Sequence, residues 1–307
     1  MTIGYDPKPR GVVDRAYRWL AEQGSRLTPA TDDVLLAHAQ AGFRRAQRVA
    51  YECVRQIGDQ LRPGMSEREA AQLLADYLRA AGSERFLHRP FAWFGDHSRF
   101  SGYQGYGDYH PSERRLGADD VAILDVSPVI DGYTADVGYT LALRPNPQLE
   151  RAQSFLLELR ADIPRLFNSP MTPAQIWMAV NDRIRAAGYD TVHASYPFCV
   201  LGHRVFRVKK QAPKALRVGG GSMGWFSLET NLRFLKTGFG AALTPENIGS
   251  KIGLWAVEPH IGWQGAGAKF EEILVVDARG ARWLDDEVPH VVQARQGMTT
   301  HSEETRR

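Results

Sequence analysis

The sequence of 307 residues predicts an α+β protein made of two similar halves, each a pair of helices followed by antiparallel strands. Three observations carry that expectation. The segments "PGMSEREAAQLLADYLRAAG" and "SPMTPAQIWMAVNDRIRAAG" each open on a capping box, Ser66 with Glu69 and Thr172 with Gln175, and each ends in Arg-Ala-Ala-Gly at the same offset of 106 residues. The segment "VAILDVSPVIDGYTADVGYT", residues 121–140, reads as two apolar strands folded back on Asp131-Gly132, a strong hairpin signal. Residues 251–276, "KIGLWAVEPHIGWQGAGAKFEEILVV", repeat the theme with two apolar strands around a Gly-rich loop.

Taken in order, residues 30–61 show apolar side chains at helical spacing, ended by Pro63-Gly64, and predict one long amphipathic helix. Ser66 to Gly82 form the second helix, with Gly82 suited to the left-handed C-terminal position. The aromatic stretch 91–110, "FAWFGDHSRFSGYQGYGDYH", could line a pocket or serve as core and lid packing. In the hairpin, the two-residue turn sets residue 130 opposite 133 and 125 opposite 138. Asp125 and Asp136 then become diagonal neighbours on one face. Residues 169–188 are a helix of the second half. Residues 204–250 are less regular. Gly219-Gly220-Gly221 there lacks the Lys-Ser/Thr and helix start of a phosphate loop and reads as a linker, and Arg204, Arg207, Lys209 and Lys210 form a basic run. The final "QGMTTHSEETRR" is polar and aperiodic and reads as disordered.

Composition narrows the function classes. With 43% hydrophobic and 24% charged residues the chain reads as globular, and a net charge of +3 gives no general case for nucleic acid or membrane binding. The N-terminal residues have charges and prolines where a signal peptide needs an apolar run, and no run of about 18 apolar residues occurs, so the expectation is a cytoplasmic protein. Two cysteines, Cys53 and Cys199, are too few for a disulfide framework and read as reduced thiols.

Two aspartates on an apolar sheet require compensation, since burying unpaired carboxylates is costly. A buried arginine or lysine is one solution. The second half, however, adds Glu258 and Glu271 on its own strands, and four converging acids ask for more positive charge than one side chain provides. A divalent metal answers better; oxygen donors with one imidazole suit Mn, Fe, Co or Zn, and four carboxylates suit a pair of ions.

The ordered set Asp125 in "ILDVS", Asp136 in "TADVG", His203 in "LGHRV", Glu258 in "AVEPH" and Glu271 in "KFEEI" resembles the creatinase, aminopeptidase P and methionine aminopeptidase superfamily, the M24-type metallopeptidases with the pita-bread fold. The resemblance covers roughly residues 40–285. It implies a curved antiparallel sheet flanked by the duplicated helices, and a dinuclear site in which Asp125 chelates one ion, Asp136 and Glu271 bridge, and His203 and Glu258 complete the second. It also implies Glu258 as general base for a metal-activated water and His110, before the first aspartate, as a substrate-orienting histidine. The domain plan is an N-terminal helical extension over 1–39, one catalytic domain over 40–285 with halves at about 40–145 and 150–285, and a polar tail over 286–307. The large N-terminal domain of the prolidase and creatinase branches is not expected, because about 40 residues precede the first catalytic-domain helix.

Departures from the family pattern bear on the substrate. Where the peptidases carry a second histidine seven residues after the Gly-His segment, this chain has Lys210, and His260, two residues past Glu258, is a candidate to replace it. The implied function is a metal-dependent hydrolase resembling aminopeptidase P or Xaa-Pro peptidases, cleaving an amide near a free N-terminus, with manganese among the suitable metals. Two alternatives stand beside it: a metalloenzyme acting on a small non-peptide metabolite, by C–N hydrolysis or metal-centred oxidation, and a non-catalytic binding module. The expected partner is a small peptide or small molecule, not nucleic acid or membrane, and a homodimer is left open.

Overall fold

The structure, a computed structural model, describes residues 11–26, 31–101, 106–208 and 238–295. Lys209, Lys210, the three glycines 219–221 and the tail 296–307 lie outside the described residues. Helix α1 (Val12–Ser25) and the single turn α2 (Asp32–Leu35) precede α3 (Ala37–Gly58). The one helix expected over 30–61 is thus broken at Leu36, whose backbone is extended, and the Gln40 side chain donates to the Leu35 carbonyl freed there (2.7 Å). Beyond the break the apolar spacing holds: Phe43, Ala46, Ala50, Val54 and Ile57 are buried on one face of α3. Helix α4 (Glu67–Ala80) follows, with the Ser66–Glu69 capping box formed in both directions and Gly82 at φ +91°.

The first-half strands are β1 (Arg85–Phe86), β2 (Phe91–Phe94), β3 (Val121–Val126), β4 (Pro128–Ile130), β5 (Tyr133–Thr134) and β6 (Val137–Ala142). Asp131 and Gly132 both have positive φ, as a two-residue hairpin turn requires, and the register is the expected one, Ile130 opposite Tyr133 and Asp125 opposite Gly138. The second half runs α5 (Pro147–Asn168), α6 (Pro173–Ala186), β7 (Asp190–Thr191), β8 (Gly202–Arg204), β9 (Ala242–Leu243), β10 (Gly253–Val257), β11 (His260–Trp263), β12 (Ala266–Lys269), β13 (Glu272–Asp277) and β14 (Gly280–Trp283).

The duplication extends from helices to strand order. Helices α4 and α6 start and stop at the same offset of 106 residues, each with a closed capping box. The sheet β1-β4-β5 recurs as β7-β11-β12, and β2-β3-β6 recurs as β8-β10-β13, which β9 and β14 extend at its edges. All pairings are antiparallel. Each long hairpin therefore steps from one sheet to the other partway along, at Ser127-Pro128 in the first half and at Glu258-Pro259 in the second. Proline has no N–H to donate, so the ladder ends where it stands. One core lies around α3 and α4, the other around α5 and α6. Val288 and Val291 are buried in the first, so the chain packs on past residue 286, where a polar tail was expected to begin. No helix among the described residues is long and apolar enough to cross a membrane.

Candidate metal centre

The acidic side chains come from the steps between sheets. Asp125 lies near the end of β3 and Glu258 just past β10, while Asp136 sits between β5 and β6 and Glu271 between β12 and β13. The two halves thus contribute two carboxylates each from matching places, and all four are buried. His203, on β8 opposite Ala256, completes the set. All five residues expected as ligands meet here.

Their ligand atoms fall into three overlapping groups, each within 4.8 Å: Asp136, His203 and Glu271; Asp125, Glu258 and Glu271; and His88, Asp125 and Asp136. His203 Nε2 lies 3.1 Å from Asp136 Oδ2 and 3.8 Å from Glu271 Oε1. His88 Nε2 lies 3.1 Å from Asp136 Oδ1 and 3.4 Å from Asp125 Oδ1. Two buried oxygens, Asp125 Oδ1 and Glu271 Oε1, accept no hydrogen bond. Buried carboxylate oxygens without donors, beside imidazoles, are what a cation-binding site requires.

A buried cationic side chain is the alternative to metal as compensation for these acids. The structure puts a lysine in the cluster. Lys269 Nζ lies 2.7 Å from Asp125 Oδ2, 2.7 Å from Glu258 Oε2 and 3.0 Å from Glu271 Oε2, with only 1% of its side chain exposed. Its backbone is fixed across the two halves by Thr140, whose hydroxyl accepts from Lys269 N (2.9 Å) and donates to Lys269 O (2.8 Å). Its stem runs over Gly138, where any Cβ would fall 2.4 Å from Lys269 Cε. Glycine opposite Asp125 is thus the opening through which the ammonium reaches the acids.

Burial opposes ionisation of Asp136, but the charges and hydrogen bonds of His88 and His203 outweigh it and hold its carboxyl far below the usual range. Burial likewise disfavours charge on His88, yet Asp136 and Asp125 raise it to about 9. Burial opposes charge on His203 as well, and the hydrogen bond and charge of Asp136 overcome it and raise its pKa. Burial, then the neighbouring carboxylates, push Glu271 well up.

Among the described residues, the remaining candidates His110 and His260 are not part of these groups. His110 is half-buried, and burial together with the nearby charge of Arg89 lowers its pKa; it is not among the side chains whose ligand atoms meet, a place His88 takes. His88 follows the short strand β1, and its backbone N–H is held by Ser127 Oγ at the sheet step (2.9 Å). Strand β2 sets Phe91 opposite Asp125, so His88, three residues earlier, comes near that aspartate only once the strand is paired. His260 has both ring nitrogens engaged, Nε2 donating to Ser98 O (2.7 Å) and Nδ1 accepting from Tyr196 Oη (2.7 Å). Burial, then the charge of Lys269, holds that imidazole neutral. Arg204 is buried, stacked on Trp255 and bonded to the carbonyls of Gly240, Ser250 and Ile252, so it is structural rather than part of a basic face. The aromatic stretch is mainly packing: Phe91, Trp93 and Phe100 form a small core with Ile123, Val192 and Tyr196.

The sequence model of metallopeptidase family M24 matches residues 41–278. The chain belongs to metallopeptidase family M24. This M24 chain is 23% identical over 171 residues to a methionine aminopeptidase of Archaeoglobus fulgidus, a match spanning 56% of the chain and 54% of that relative. The X-Pro aminopeptidase of Thermotoga maritima superposes with a TM-score of 0.60 at 18% identity, over 88% of this chain and 64% of that one. The prolidase of Pyrococcus furiosus gives 0.59 at 17%, over 89% and 67%. These M24 neighbours share the pita-bread fold, the α+β architecture expected from the sequence.

Proposed function

We propose that this chain is a metal-dependent hydrolase of the aminopeptidase P and Xaa-Pro peptidase kind, cleaving an amide bond near a free N-terminus. The observation that carries the reading is the convergence of Asp125, Asp136, His203, Glu258 and Glu271 in one buried cluster with two donor-less carboxylate oxygens. M24 membership and the named activities of its relatives support it.

Asp136, His203 and Glu271 would hold a divalent ion, with Asp125 and Glu258 as further oxygen donors of the cluster; Mn, Fe, Co or Zn all suit this mixed set, and manganese is the first to assay. Such an ion, when bound, supplies an acidified water and polarises the scissile carbonyl. Glu258 is the base that takes the water proton; Lys269 holds its Oε2, leaving Oε1 for that task. The carboxylates attract the free amine of a peptide. His110 and Lys210 are proposed to contact substrate, whereas His260, with both ring nitrogens engaged, is proposed to support the site through its neighbours.

The test is an assay of the purified chain, stripped with chelator and reloaded with Mn, Co, Fe or Zn, on Xaa-Pro and Met-Ala peptides with free and acetylated N-termini. Metal-dependent release from the free peptides alone is expected. Equal cleavage of acetylated peptides, or turnover that survives chelation, overturns the reading.

A further inference from the structure

We propose that the ammonium of Lys269 stands in for one of the two ions, so that this chain binds a single divalent metal, on the Asp136, His203 and Glu271 side of the cluster. The inference rests on the metal-binding part of the function above and not on its peptidase part.

Three features carry it. Lys269 touches one oxygen of Asp125, of Glu258 and of Glu271, at 2.7, 2.7 and 3.0 Å. Asp125 is the residue expected to chelate an ion with both oxygens, and one of the two is already held. Second, the donor-less oxygens lie away from the lysine. Asp125 Oδ1 looks toward His88 at 3.4 Å and Glu271 Oε1 toward His203 at 3.8 Å, so the free donors gather around Asp136. Third, the charges balance only with fewer ions. Four carboxylates match two divalent ions; with the ammonium in place, two ions would overcharge a buried pocket, whereas one would not. The lysine is built in rather than adventitious, since Thr140 clamps its backbone from the other half and Gly138 clears its stem.

The experiment is a titration of the stripped full-length protein with Mn²⁺, counting ions per chain by calorimetry and elemental analysis, with electron paramagnetic resonance as a second readout. Wild type should bind one ion and show an isolated six-line spectrum. Lys269→Met and Lys269→Gln should bind two and show a spin-coupled pair. Two ions in wild type, or one in variants shown by circular dichroism to be folded, overturns the inference alone. No tight Mn²⁺ binding by wild type overturns the metal reading beneath it as well. Should both variants fail to fold, the wild-type count and spectrum still decide, because a coupled pair there is incompatible with the lysine's role.

Discussion

Asp136 is the one carboxylate that both imidazoles reach, with His88 on Oδ1 and His203 on Oδ2 at 3.1 Å each. Replacing one oxygen by an amide nitrogen removes a donor and the negative charge that draws a cation, and leaves His88 and His203 without their carboxylate partner. Asp136→Asn should therefore lower Mn²⁺ affinity by about 100-fold or more, on the scale of ligand and outer-shell changes at metal sites, with an unchanged circular dichroism spectrum. Near-stoichiometric tight binding in that variant would remove Asp136 from the site. At this scale the sequence was informative for the five candidate ligands and much less so for their neighbours. Asp125 and Asp136 were legible because an Asp-Gly turn sets the register of everything beside it. Lys269 had a visible signal, two residues before Glu271 and so on the same strand face, but a lysine amid apolar residues reads equally as a solvent-facing position. His88 had none, because its approach depends on a sheet step and a two-residue strand.

Helices and strands show where local chemistry suffices and where it does not. The capping boxes of α4 and α6 are as read, since their donors and acceptors are three residues apart. Glu67, beside the first box, is different. It is fully buried, and its carboxylate accepts from Phe94 N (2.9 Å), His97 Nδ1 (2.6 Å), Ser112 N (2.8 Å) and Ser112 Oγ (2.6 Å). It ties the start of α4 to β2 and to the segment leading into β3, the strand that carries Asp125. Burial alone would raise its pKa, but the hydrogen bonds and charge of His97 and Ser112 bring it below the ordinary glutamate value. A lowered folded pKa means stability present above the unfolded value and lost as the pH falls through the folded one. Glu67→Gln should cost about 1–3 kcal/mol at pH 7, with the gap to wild type narrowing below pH 4. Denaturant melts at both pH values test this; a gap that widens in acid would assign the stability elsewhere.

At the scale of the molecule, the two faces of the second-half sheet divide the carboxylate cluster from a buried ion pair, and the adjacent pair Glu271 and Glu272 marks the division. Glu271 points into the carboxylate cluster. Glu272 points the other way, fully buried, and joins three parts of the chain: Arg160 of α5 donates Nε and Nη2 to it at 2.6 and 2.7 Å, and His290 of the C-terminal segment lies at 2.7 Å. Arg160 also binds the Asp285 carbonyl and stacks over Trp283, so the pair anchors the residues that continue the core beyond 286. Removing one partner of a buried ion pair leaves the other uncompensated, at a cost of about 3–5 kcal/mol. Glu272→Ala should lower the melting temperature by many degrees and leave the Mn²⁺ count and affinity of the folded protein unchanged. Glu271→Ala should do the reverse, losing metal with little change in the melting of the stripped protein. Strand alternation is the sole reason neighbours differ so completely. If Glu272→Ala loses metal at an unchanged melting temperature while Glu271→Ala keeps it, the register of β13 is wrong by one residue and the centre must be rebuilt on the other face.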